Sequence, residues 1–137
     1  MRIIKKKNEK SLIREFLRIF KREIDKKKKS KSRLSFVLTG GSSPINLYKK
    51  LAKSNIDWSN IDLFWGDERF VSIKSKSSNF KMANDLFIKK VKINKRNLFY
   101  INTKTKDINQ SSLEYQNKIK KYFKNKKIRF DICLLGM

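Results

Sequence analysis

The sequence predicts an open, mostly parallel α/β sheet with helices on both faces. Two observations carry the expectation: short unbroken apolar runs that end in glycine or polar turns, and longer stretches between them whose apolar residues recur every three or four positions. Strands of a parallel sheet are buried on both faces and so read as continuous apolar runs. The helices that cover them must lie between them in the chain.

Between Glu9 and Lys29, the residues Leu12, Ile13, Phe16, Leu17, Phe20 and Ile24 fall on one helical face. The run LSFVLT, 34–39, is a buried strand, and after a glycine turn Ile45, Leu47, Tyr48, Leu51 and Ala52 mark a second helix. IDLFW, 61–65, is the next strand. Residues 78–91 have helical spacing through Phe80, Met82, Ala83, Leu86, Phe87 and Val91, and NLFYI, 97–101, is strand-like. A last helix is expected over 111–127 through Leu113, Tyr115, Ile119, Tyr122 and Phe123. FDICLLG, 130–136, reads as another buried strand, with Cys133 a small buried hydrophobe inside it.

At 137 residues the chain suits one domain, 1–137. It carries 36 Lys and Arg against 12 Asp and Glu, a net charge of +24. The lysines are spread over every helix and loop rather than gathered in a patch, so nucleic acid is not the expected partner. No apolar run approaches the roughly 18 residues of a membrane span, and no signal-peptide core follows Met1. A cytoplasmic protein with no membrane association is expected. One cysteine excludes a disulfide within the chain, and the absence of histidine removes the commonest general base and metal ligand. The chain stops at LLGM, at the carboxyl end of a strand where α/β proteins place ligands, so an incomplete domain is expected. A bare apolar last strand would then favour aggregation or loose structure.

Three segments are placed to carry chemistry. In TGGSSP, Gly40, Gly41, Ser42 and Ser43 sit between a strand and a helix, where backbone N–H groups and the helix dipole favour an anion, with Ser43 the expected N-cap before Pro44. The loop matches neither the Walker nor the dinucleotide fingerprint. In FWGDERF, Arg69 offers a planar fork to a phosphate or carboxylate, and Asp67 and Glu68 can orient it or handle protons. In SSNFKMA, Ser77 and Ser78 are candidate helix caps and Asn79 can face a ligand.

Taken together, LTGGSSPINLYKKLA, IDWSNIDLFWGDERFV, SNFKMANDLF and FDICLLGM resemble the 6-phosphogluconolactonases, in the same order and at similar spacing from about Arg33 to Met137. The resemblance implies a Rossmann-like sheet shared with glucosamine-6-phosphate deaminases. It also implies hydrolysis of 6-phosphoglucono-δ-lactone, a sugar phosphate lactone, without metal or organic cofactor. It assigns the substrate phosphate to Gly40, Gly41, Ser42 and Arg69, beside which Ser43 and Asn79 are expected, from their positions in the chain, as further pocket residues. The family's base is a histidine in a G-x-D-G-H-T motif directly after the strand matching DICLLGM, so it would lie beyond Met137. That leaves no catalytic residue in this chain, Asp67 and Glu68 as auxiliary groups at most, and an isolated chain expected to be inactive. The alternatives are a deaminase or isomerase relative, against which Arg69 stands where that branch has tyrosine, and a non-catalytic binder of phosphosugar or nucleic acid.

Overall fold

The protein is described here by a computed structural model covering residues 3–124 and 127–136. Its elements are α1 (Glu9–Lys29), β1 (Leu34–Leu38), α2 (Ile45–Ala52), β2 (Ile61–Trp65), α3 (Asn79–Leu86), β3 (Leu98–Phe99), α4 (Ile108–Tyr122) and β4 (Ile132–Cys133), with short 3-10 turns at Trp58–Asn60, Ile88–Lys90 and Lys95–Asn97. The four strands form one parallel sheet in the order β3-β2-β1-β4. The α/β expectation holds.

Alternation along the two central strands sorts the core into two layers. Leu34, Phe36 and Leu38 of β1 and Ile61, Leu63 and Trp65 of β2 pack in a cluster with Phe20 and Ile24 of α1, Leu47, Tyr48 and Leu51 of α2, and Ala83 of α3. On the opposite face Phe64 stacks on Phe99 at 4.6 Å between centroids and meets Tyr122 of α4 edge-on at 4.9 Å. Helices therefore cover both faces. The polar residues inside the strands are paired. Asp62 is 2% exposed and takes a two-pronged bond from Arg33, Nε at 2.7 Å and Nη2 at 2.8 Å, plus the Tyr122 hydroxyl at 2.9 Å. Ser35 Oγ donates to Asp131 Oδ2 at 2.9 Å, tying β1 to the entry of β4.

Several boundaries differ from the sequence expectation, each for a local reason. The helix expected over 78–91 ends at Leu86, because Phe87 turns out of helical geometry, with φ −145°, and its ring is buried against Tyr48 and Trp58. Ile88 continues the apolar pattern in a 3-10 turn. The last helix begins at Ile108, three residues early, because the Asp107 carboxylate accepts the Gln110 N–H at 2.8 Å as its cap. It ends at Tyr122, and of its expected tail 125–126 lie outside the described residues. The strand expected over 97–101 is Leu98–Phe99 only.

The largest correction concerns 130–136. Only Ile132 and Cys133 form a strand, at the sheet margin, and Cys133 is exposed rather than buried. One flank of β4 pairs with β1, among the described residues no strand pairs with the other, and Leu135 just beyond the strand is 86% exposed.

Candidate functional site

Parallel register brings the carboxyl ends of β1 and β2 out side by side, Leu38 opposite Trp65, and each strand soon meets a glycine, Gly66 directly after Trp65 and Gly40 two residues after Leu38. The Gly66 N–H donates to the Leu38 carbonyl at 2.8 Å, so the two exits are fastened together. Two glycines follow β1 for two different reasons. Gly41 has φ +80°, a left-handed conformation that costs other residues. At Gly40 the constraint is space: a Cβ there would lie 2.0 Å from Asn79 Oδ1.

Two helix N-termini face this region, and they are treated differently. At α3 the chain supplies its own anion. Glu68 Oε1 accepts the N–H groups of Asn79 at 2.7 Å and Arg69 at 2.8 Å, and Oε2 accepts the Phe80 N–H at 2.8 Å and the Ser78 hydroxyl at 3.1 Å. Ser78 Oγ, the N-cap, accepts the Lys81 N–H at 3.1 Å. With four donors on its two oxygens, Glu68 acts as a structural cap at the positive end of a helix. Asp67 is more exposed, and its Oδ2 accepts the Asn79 side-chain amide at 2.9 Å.

At α2 no such plug exists. The N-cap is Pro44, in αR conformation and without a side-chain bond, so Ser43 is not the cap the sequence suggested. The helix starts one residue later, behind a turn closed by the Ile45 N–H on the Ser42 carbonyl at 3.2 Å. Among the described residues, the N–H groups of Gly41, Ser42 and Ser43 find no acceptor within the chain. Between the open α2 end and the filled α3 end lies a cleft of about 380 Å³ lined by Gly41, Ser42, Ile45, Arg69, Lys76 and Asn79, among others. Neither Arg69 nor Lys76 has a carboxylate partner among the described residues. Unplugged N–H groups and two unpaired cations around one cleft are suited to a multiply charged anion such as a phosphate.

Of the residues singled out from the sequence, the structure brings Gly41, Ser42, Arg69, Ser77, Ser78 and Asn79 to this cleft, and of the two candidate caps Ser78 is the one that caps α3. Gly40 lies behind it, against Asn79, and Asp67 and Glu68 brace the loop. Ser43 is elsewhere, in a separate cavity of about 270 Å³ with Thr39, Pro44, Leu134 and Leu135. Lys76 is not legible in the sequence, where it is one lysine among many.

The geometry agrees with relationships to known proteins. A sequence model of the glucosamine-6-phosphate isomerases/6-phosphogluconolactonase family matches residues 7–137. A 6-phosphogluconolactonase of Thermotoga maritima is 31% identical over 115 residues, covering 84% of this chain and 50% of that protein. One from a Nostoc species is 32% identical over 130 residues, covering 93% and 54%. The crystal structure of the Thermotoga maritima 6-phosphogluconolactonase superposes with a TM-score of 0.79 at 29% identity, over 91% of this chain and 55% of that one. A monomeric glucosamine-6-phosphate deaminase superposes with a TM-score of 0.78 at 20% identity, over 90% of this chain and 52% of that one, which shows the shared fold. The chain thus spans about half the length of the relatives it matches. With its family model matched over 7–137, its parallel sheet and its glycine-serine and D-E-R loops in place, this chain belongs to the glucosamine-6-phosphate isomerase/6-phosphogluconolactonase family.

Proposed function

We propose that this chain is the phosphate-holding half of a 6-phosphogluconolactonase, the enzyme that opens the ring ester of 6-phosphoglucono-δ-lactone. The observation that carries the reading is the contrast between the two helix ends: α3 is closed by Glu68, whereas α2 presents free N–H groups to a cleft that also holds Arg69 and Lys76. In this reading Gly41, Ser42 and Arg69 hold the phosphate, and Gly40 lets Asn79 close the cleft floor. Binding at the phosphate, remote from the reacting carbonyl, orients the lactone so that water adds to C1 and the ring C1–O bond breaks. The ring oxygen leaves as a hydroxyl with one proton of the water, and C1 becomes a carboxylate as the other is released to solvent.

The activation of that water is not supplied here. The chain has no histidine, Glu68 is occupied by four donors, and the Asp67 carboxylate is held by the Asn79 side-chain amide. The isolated chain is therefore a binder with no turnover of its own, an incomplete domain whose base belongs to the family's second half. A doubly charged phosphosugar does not cross membranes unaided, which favours a cytoplasmic setting. Among the described residues no helix is long and apolar enough to cross a membrane.

The test is a turnover assay paired with a melt. This chain should leave lactone hydrolysis at the buffer rate while 6-phosphogluconate raises its melting temperature. Acceleration of hydrolysis, or a melt indifferent to 6-phosphogluconate, would count against the reading.

A further inference from the structure

Two tyrosines make the same unusual contact at the two strand ends that lead into the cleft. The Tyr48 hydroxyl of α2 donates to the Thr39 carbonyl at 2.7 Å and accepts the Thr39 N–H at 3.1 Å. The Tyr115 hydroxyl of α4 donates to the Trp65 carbonyl at 2.8 Å and accepts the Trp65 N–H at 2.9 Å. Thr39 is the residue before Gly40, and Trp65 is the residue before Gly66. The clasping helices lie on opposite faces of the sheet, so the repetition is not one packing event seen twice.

Packing alone does not ask for the hydroxyls, since phenylalanine would fill the same space. What the hydroxyl adds is one donor and one acceptor at the point where a strand leaves the ladder and its peptide groups lose their strand partners. Burial pushes the Tyr48 phenol well above the usual tyrosine range and the Tyr115 phenol up to about 12, so each keeps the proton it donates.

We propose that Tyr48 and Tyr115 are positioning residues that fix where the two cleft loops leave the sheet, Tyr48 for Gly40–Ser43 and Tyr115 for Gly66–Arg69. Each clasp pins one wall of the cleft. The N–H groups of Gly41 and Ser42 and the Arg69 side chain are then held at a set separation, which a phosphate spanning them requires. The consequence for binding rests on the phosphate reading above. The consequence for the loops does not.

The experiment compares Tyr48→Phe and Tyr115→Phe with Tyr122→Phe, which removes a buried hydroxyl of similar standing, bonded to Asp62 at the other end of the sheet. Residue-resolved amide exchange and titration with 6-phosphogluconate are measured on each. Tyr48→Phe should speed exchange about tenfold at Ile45, whose N–H closes the first loop on Ser42, and weaken 6-phosphogluconate binding about tenfold, and Tyr115→Phe should do the same at Gly66 and Arg69, whose N–H groups are bonded to Leu38 and Glu68. Tyr122→Phe should lower the melting temperature and leave both loops and the affinity unchanged. Loop exchange in the two clasp variants that matches the parent, or that rises no more than in Tyr122→Phe, overturns the proposal. If the parent does not bind 6-phosphogluconate, the phosphate reading alone fails, and the exchange at the two loops decides the clasps by itself.

Discussion

Gly40 and Asn79 touch so closely that a methyl group on the glycine would lie 2.0 Å from the asparagine Oδ1. This contact joins the two cleft loops, because Asn79 also donates through Nδ2 to the Asp67 carboxylate at 2.9 Å and to the Asp67 carbonyl at 3.1 Å.

Gly40→Ala should therefore act as an overpacking substitution, destabilising the fold by about 1–3 kcal/mol and displacing Asn79 from Asp67. Asn79→Ala in the same chain should recover part of that loss. A double-mutant cycle by urea denaturation checks it, and strict additivity would show that the two residues do not meet.

Glu68→Ala should cost about 1–2 kcal/mol, as the loss of a helix cap does, with the damage centred on α3. Denaturant unfolding with exchange at Asn79 and Phe80 reads this. Had Glu68 served only as a solvated loop residue, the change would fall within about half a kcal/mol.

Removing Arg33 should be among the most damaging single changes outside the apolar core. It leaves Asp62, 2% exposed, holding only the Tyr122 hydroxyl, and costs about 3 kcal/mol by Arg33→Ala in a denaturation series.

Acid should destabilise the protein through its helix-surface carboxylates. The Arg18 guanidinium beside Glu15, aided by Lys6, holds that carboxyl down from 4.5 to about 2, and Lys81, with Lys89, holds Asp85 down from 3.8 to about 2. A depressed carboxylate stabilises above its unfolded pKa and loses that contribution as pH falls toward the folded one. The melting temperature should thus decline between about pH 4.5 and pH 2, less so in Glu15→Gln, and high salt should shrink the difference because these pairs face water.

Much of this was readable from residues alone, and the misses share a cause. Phe36, Leu63 and their neighbours announce buried strands because a central parallel strand is apolar on both faces. Gly40, Gly41, Ser42 and Arg69 stood out because few residue types can do their work at a strand end. Cys133 was misjudged because an apolar run looks the same whether or not a neighbour covers it. The break at Phe87 and the caps at Pro44 and Asp107 were decided by packing and local turns rather than by period. In the sequence Glu68 is a charge in a loop, and only the fold brings the backbone of α3 to its oxygens. Lys76 was hidden by the lysine-rich background around it.

Lys76→Ala should weaken 6-phosphogluconate binding several-fold and Arg69→Ala by about tenfold or more, since the planar fork makes two directed bonds where the ammonium contributes a point charge. Calorimetric titration at two salt concentrations checks both. Equal affinities in all three proteins would remove these cations from the site.

The most direct measurement of the central claim is an amide NMR titration of this chain with 6-phosphogluconate and, separately, with gluconate. The account predicts shifts at Gly41, Ser42 and the Arg69 loop with the phosphorylated sugar and none there with gluconate. Equal responses to the two sugars, or shifts confined to the lysine-rich helices away from the cleft, would contradict it.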